Sequence, residues 1–220
     1  MLLAGLILSY WLFSNVPALD IAVSRLFFAD GAFWGQNRSW LELPRQFFWN
    51  LSLGLILASV IALSLSHSQY WPQRILPTRE WNVIFWSFVL GPGILVNAIL
   101  KSFSGRPRPV RVLDFDGTAP FRAVGEWNGI CANNCSFVSG EVSSTTAFCL
   151  SGVILIQYHS AWLGPQRVRA LYAVLAGIFA FVFMHRIVTG GHFLSDAIFA
   201  ALLTALVTVF VAALWPKPRH

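Results

Sequence analysis

The chain has 220 residues, of which 56% are hydrophobic and only 11% charged, with a formal net charge of +6 and a mean hydropathy of +0.64. A water-soluble domain of this length has neither need nor room to hide so much apolar surface, so composition excludes one. It points to an integral membrane protein of one domain over residues 1–220, with the bilayer as a partner and no nucleic acid.

A helix needs about 20 residues to cross a hydrocarbon core. Six runs approach that length, at residues 2–16, 47–66, 81–100, 142–159, 170–185 and 193–215. The expected fold is all-α, a polytopic bundle of six transmembrane helices. "VPA" before Leu19 offers small residues near a signal-peptide cleavage point. However, no basic residue precedes the first run and "YWLF" lies inside it, so a retained helix is expected.

After that run, Leu19, Ile21, Ala22, Leu26 and Phe27 recur at helical spacing. An amphipathic helix along the membrane surface is expected there, on the side of the third loop; a packed loop helix is the alternative. Trp49, Trp71, Trp81, Trp162 and Trp215 fall near span ends, as in an interfacial aromatic belt. Trp86 reads as lipid-facing bulk.

Six crossings place Arg74, Arg79, Arg167, Arg169, Lys217 and Arg219 on one side. The other side receives Arg25, Arg38, Arg45, Lys101, Arg106, Arg108, Arg111, Arg122 and Arg186, together with eight of the nine carboxylates. The positive-inside rule therefore does not settle orientation. Cys131 and Cys135 bracket "ANN" in the long third loop. A small disulfide there, which persists only in an oxidising compartment such as the periplasm, competes with two unrelated thiols. Zinc is disfavoured, because no second ligand pair accompanies them.

Chemistry concentrates in three short segments. The first, "KSFSGRPRP", begins at Lys101, and Gly105, Pro107 and Pro109 rule out a continuous helix. Its cations can close around a phosphate, Lys101 as a point charge and Arg108 as a two-pronged donor, although basic residues beside a span also set topology or meet headgroups. The second, "CSFVSGEVSSTTAF", places Ser139 and Gly140 before a helix start, which is either an anion site or an ordinary serine cap. In the third, "RIVTGGHFLSD", His192 and Asp196 are four apart and share a helix face. A carboxylate there can fix the tautomer of a nucleophilic or basic histidine, with Arg186 aimed at the same place; a satisfied structural pair is the bland reading.

In this order and spacing, the three segments resemble the type 2 phosphatidic acid phosphatase superfamily of integral membrane lipid phosphatases. Its Lys-x6-Arg-Pro motif is matched by Lys101, Arg108 and Pro109, and its Ser-Arg-x5-His-x3-Asp motif by His185-Arg186, His192 and Asp196. The Pro-Ser-Gly-His motif is matched only in part, by Val138-Ser139-Gly140-Glu141. The resemblance runs from the third expected span to the sixth. It implies that Lys101, Arg108, Arg186, Ser139 and the Gly140 amide hold the phosphate, and that His192 attacks phosphorus, with Asp196 orienting it. No cofactor and no metal are implied, since three cations and a helix end stabilise the transferring group.

Glu141 stands where the family has the histidine that protonates the leaving oxygen. Three readings compete: Glu141 is the general acid, another group such as His185 serves, or the enzyme is impaired. The resemblance also implies a periplasmic active site in a bacterial inner membrane and a phosphorylated membrane lipid as substrate, lipid A being favoured over undecaprenyl pyrophosphate and phosphatidylglycerol phosphate. Arg106, Arg111 and Arg122 are expected to meet a multiply anionic headgroup. A lipid phosphotransferase and a non-catalytic lipid-binding protein are the readings from other classes.

Overall fold

Seven helices of eight residues or more organise the chain in the computed structural model, which describes residues 1–66, 76–127 and 129–215. They are α1 (Leu2–Asn15), α2 (Ala18–Arg25), α3 (Ser39–Leu65), α4 (Thr78–Phe103), α5 (Gly140–Tyr158), α6 (Pro165–Val188) and α7 (Leu194–Leu214). All but α2 correspond in order to the six apolar runs. Trp71, Arg74, Lys217 and Arg219 lie outside the described residues.

Four of these helices, α3, α4, α6 and α7, are long and apolar enough to cross a membrane. The chain is therefore a helical, multi-pass membrane protein. Helix α1 reaches such a length only together with α2, from which it bends by 85°. Helix α5 has 19 residues but falls outside that set. Its Ser143, Ser144, Thr145, Thr146 and Ser151 are buried, because α5 packs inside the bundle against α3, α4, α6 and α7. The Ser143 and Thr204 hydroxyls share a 2.6 Å hydrogen bond between α5 and α7. Such links hold helices together where lipid removes the hydrophobic drive for helices to associate. Leu53, Leu57, Ile61, Val174 and Phe210 meanwhile face outward.

Two sequence expectations change. Trp81 is buried with Leu76, Ile84, Phe88 and Ala147, so its indole packs between helices and does not join an interfacial belt. Helix α2 buries Asp20 and Ser24, while Leu26 just beyond it is exposed. A polar edge is thus the face that α2 turns inward, the packed-helix alternative, for a reason that becomes clear at the site.

The segment after α2 forms a hairpin, β1 (Phe28–Ala29) pairing antiparallel with β2 (Ala32–Phe33). Asp30 and Gly31 turn it with φ of 52° and 74°, the left-handed pair that a two-residue hairpin turn requires. The rings of Phe28, Phe33 and Phe115 meet edge-on at 5.1–5.2 Å and, with Val112, cover Phe193 at the start of α7. Within α4, Pro92 has no N–H to donate and its backbone widens to π-helical over Val89–Leu100. Asn97 Nδ2 donates 2.7 Å to the Pro92 carbonyl.

Candidate active site

The loop between α6 and α7 carries His192. Gly190, at φ 65°, lies so close to the Phe33 ring that a side chain has no room, and Gly191 leaves space for the Arg186 guanidinium. The His192 N–H donates 3.0 Å to the Arg186 carbonyl, which closes the loop. The imidazole is 2% exposed. Its Nδ1 lies 2.7 Å from the Ser136 carbonyl oxygen, so Nδ1 carries the proton and donates it there, leaving the Nε2 lone pair free.

Asp196 Oδ2 is 3.8 Å from Nδ1, an electrostatic neighbour rather than a hydrogen-bond partner. The two Asp196 oxygens are engaged elsewhere. Oδ2 accepts from Ser136 Oγ at 2.5 Å and from the Phe193 N–H at 2.9 Å, which caps α7, while Oδ1 accepts from Arg106 at 2.6 Å. The expected helix-face pairing of His192 with Asp196 therefore acts through charge, and a backbone carbonyl sets the tautomer. Burial lowers the pKa of His192 to about 4; Asp196 opposes the shift, and Arg186 and Arg108 add to it. The ring is neutral at physiological pH, as a nucleophile must be.

Cations surround this ring from three elements. Lys101, near the end of α4, and Arg108, on the turn-rich loop, both reach the Asn134 side-chain oxygen, at 3.2 and 2.8 Å. Burial, then Arg186 and Arg111, lower the pKa of Arg108, with Glu141 and Asp196 opposing. A guanidinium stays charged regardless, so the result is an electropositive pocket suited to an anion. Ser139 caps α5, its Oγ accepting from the Val142 N–H at 3.4 Å. A side chain at Gly140 would press on the Lys101 amine, so glycine lets the lysine approach the helix start. Asn134 belongs to the tight loop closed by a Cys131–Cys135 disulfide. The N–H groups of Cys131, Cys135 and Ser136 donate to the carbonyls of Gly105, Lys101 and Arg106, stitching that loop to the segment that carries Lys101 and Arg108.

Glu141 does not pair with Lys101 or Arg108. Its Oε1 lies 3.1 Å from Arg45 of α3 and 3.3 Å from Arg186, while its Oε2 is buried without a partner. Arg45 also bonds Glu42 at 2.6 Å, and His185 Nε2 lies 3.4 Å from the other Glu42 oxygen with its ring against Phe181. His185 thus sits in a Glu42 environment on α3. Arg106, expected to meet a headgroup, is instead 1% exposed and paired with Asp20 and Asp196; Arg122 pairs with Glu126 at 3.7 Å, and Arg111 is exposed.

Several residues of this site escape a sequence reading. Asp20, Ser136 and Ser195 belong to no segment with a metal, nucleophile or phosphate pattern, and Glu42 and Arg45 lie at the polar start of an apolar helix. The available signal was Asp20 itself, an acid inside an otherwise apolar helical repeat.

Lys101, Arg108 and Arg186 gather near the α5 start beside a neutral buried histidine, an arrangement whose chemistry suits phosphoryl transfer. The model of the PAP2 superfamily matches residues 82–219, which hold all three segments, and the chain belongs to that superfamily. It is a membrane-embedded lipid phosphatase. The chain is 30% identical, over 94% of its length and 92% of the relative's, to the lipid A 4'-phosphatase of Rhizobium leguminosarum. It is 33% identical to the lipid A 4'-phosphatase of Francisella tularensis subsp. novicida over 60% of its length and 56% of the relative's. The crystal structure of a transmembrane PAP2 type phosphatidylglycerolphosphate phosphatase from Bacillus subtilis superposes with a TM-score of 0.58 at 20% identity, covering 96% of this chain and 92% of that one. That likeness concerns the fold.

Proposed function

We propose that the protein removes a phosphate monoester from lipid A at the periplasmic face of a bacterial inner membrane, by way of a phosphohistidine at His192. The observation that carries the chemistry is the Nδ1 bond to the Ser136 carbonyl, which leaves Nε2 as the attacking atom amid Lys101, Arg108 and Arg186. The Nε2 lone pair forms the N–P bond while the P–O bond to the lipid breaks, and the leaving oxygen keeps the electron pair and takes a proton. Water then attacks phosphorus, Nε2 regains its pair and phosphate departs. Ser139 and the α5 start stabilise charge on the equatorial oxygens. Lipid A is favoured over undecaprenyl pyrophosphate and phosphatidylglycerol phosphate by the full-length likeness to the Rhizobium enzyme. The Cys131–Cys135 bridge and the loops that carry the site support a periplasmic location.

Glu141 serves in this scheme by holding Arg186 and Arg45 beside the phosphate, because Oε1 accepts from Arg45 and forms an ion pair with Arg186, and water supplies the leaving-group proton. A second reading keeps Glu141 as the general acid through its unpartnered Oε2. Purified protein in detergent should release phosphate from lipid A bearing a 4'-phosphate more efficiently than from the other two lipids. Release from none of them, with folded protein, would favour a non-catalytic lipid-binding role, and release only with an acceptor lipid a phosphotransferase.

A further inference from the structure

Three charged side chains are buried together behind the nucleophile. Asp20 and Asp196 are 0% exposed and Arg106 is 1%. Burial of this kind is costly unless every charge is paired. Arg106 forks between the carboxylates, its Nη2 2.8 Å from Asp20 Oδ2 and its Nη1 2.6 Å from Asp196 Oδ1. Two further donors are used as well: Nη1 also reaches Ser195 Oγ at 2.8 Å and Nε the Arg122 carbonyl at 2.8 Å. The guanidinium lies 4.6 Å from the centre of the Phe193 ring, which fixes it in place.

Asp20 comes from α2, before the region matched by the superfamily. Its Oδ1 accepts from the Ser195 N–H at 2.9 Å and its Oδ2 from Ser195 Oγ at 2.6 Å, so Asp20 ties α2 to the first turn of α7. Burial raises the pKa of Asp20; Arg106 opposes this, Asp196 adds to it, and the Ser195 bonds oppose it. Every hydrogen-bond partner of Asp20 is a donor, the pattern of an ionised carboxylate. Two carboxylates therefore share one guanidinium, and the buried trio retains a negative charge behind His192.

We propose that Asp20 is a positioning residue for phosphoryl transfer. By occupying one arm of Arg106 it leaves Asp196 incompletely neutralised, so that Asp196 stabilises the positive charge of the phosphorylated His192 ring. The inference rests on the His192 scheme. When Nε2 bonds phosphorus, the ring keeps its Nδ1 proton and becomes cationic, and Asp196 Oδ2 is the carboxylate oxygen 3.8 Å from that nitrogen. Were Asp20 uncharged, Arg106 would be left to Asp196 alone and would cancel the charge the ring needs.

The test is a mutant cycle in purified, detergent-solubilised protein. Asp20→Asn should lower kcat about 10- to 100-fold with KM within about threefold, since the charge acts on the transferred state and not on the bound substrate. Asp20→Glu should recover part of that loss. In an Asp196→Asn background, Asp20→Asn should cost little more, because both changes remove the same stabilisation. Ser195→Ala, which removes the hydroxyl donor to Asp20 but keeps the N–H donor and both carboxylates, should lower kcat by about threefold to tenfold, less than Asp20→Asn does, and it remains measurable if Asp20→Asn is unstable. A kcat for Asp20→Asn within twofold of the unaltered protein, fully additive losses in the double variant, or a Ser195→Ala loss equal to that of Asp196→Asn would each overturn the inference. Activity surviving in His192→Ala would instead sink the phosphohistidine scheme, so the two failures are told apart.

Discussion

His192 Nδ1 lies 2.7 Å from the Ser136 carbonyl oxygen and 3.8 Å from Asp196 Oδ2. The division of labour between a backbone acceptor and a charged neighbour predicts unequal consequences for the two side chains. His192→Ala removes the attacking atom and should lower turnover at least about a thousandfold, far more than the destabilisation from losing a buried ring explains while the detergent-solubilised protein remains folded. Asp196→Asn leaves the Nδ1 bond to the Ser136 carbonyl in place while removing the charge and one acceptor oxygen, so about a hundredfold loss is expected. More than a tenth of the activity surviving in His192→Ala would refute the phosphohistidine assignment.

The same burial sets a pH dependence. His192 titrates at about 4 in the fold, against 6.5 in an unfolded chain. Between those values the unfolded chain binds more protons, so stability from this group rises with pH from about 4 to 6.5 and is complete above 6.5. The nucleophile likewise stays neutral to about pH 4. The acid limb of kcat/KM assigned to His192 should therefore lie near 4, once the ionisation of the lipid phosphate is subtracted using its free titration. An enzyme limb near 6.5 would mean that the ring is solvated in the working protein.

The fold and the clustering of Lys101, Arg108, Arg186 and His192 were legible because each leaves a local trace. Apolar runs of membrane length mark the helices, and Gly and Pro between Lys101 and Pro109 mark turn-rich chain. The His192/Asp196 spacing marks two residues that the start of α7 brings close, although His192 lies in the loop before the helix and shares no helix face with Asp196. The Asp30-Gly31 turn was equally local, yet its two-residue strands are too short to show an alternating pattern. What stayed hidden is non-local. Arg106 belongs to the same basic run as Arg108, and only the fold separates the one buried between Asp20 and Asp196 from the one that joins Lys101 at Asn134. Asp20 is 176 positions before Asp196, and no periodicity relates them. The carbonyl of Ser136 carries no side-chain signature at all.

Redox state should reach the phosphate pocket through Asn134. This residue lies inside the loop closed by Cys131 and Cys135, and its side-chain oxygen accepts from both Lys101 and Arg108. Reduction frees the loop, so KM for the lipid should rise several-fold, on the order of the loss of one charge-assisted bond, with kcat changing less. Cys131 and Cys135 should resist thiol labelling until a reductant is added, whereas Cys149, free and partly buried within α5, should be limited by burial alone. Labelling of Cys131 from the cytoplasmic side of intact vesicles would overturn the periplasmic orientation.

Glu141 stands at the position of the motif histidine, but its Oε1 accepts from Arg45 and pairs electrostatically with Arg186. Glu141→Gln preserves shape while removing the charge that holds both guanidiniums. If Glu141 orders the pocket, losses of about tenfold or more should be equal on the lipid and on an aryl phosphate, because both substrates need Arg186 in place. Arg45→Ala should then reproduce the pattern, with a rise in KM. If the unpartnered Oε2 instead delivers the leaving-group proton, the lipid should lose about a hundredfold or more and the aryl phosphate far less, since a good leaving group needs little protonation. An alkaline limb seen with the lipid and absent in Glu141→Gln would point the same way. The double ion pair predicts equal losses and no such limb, and a large difference between the two substrates would return the acid role to Glu141.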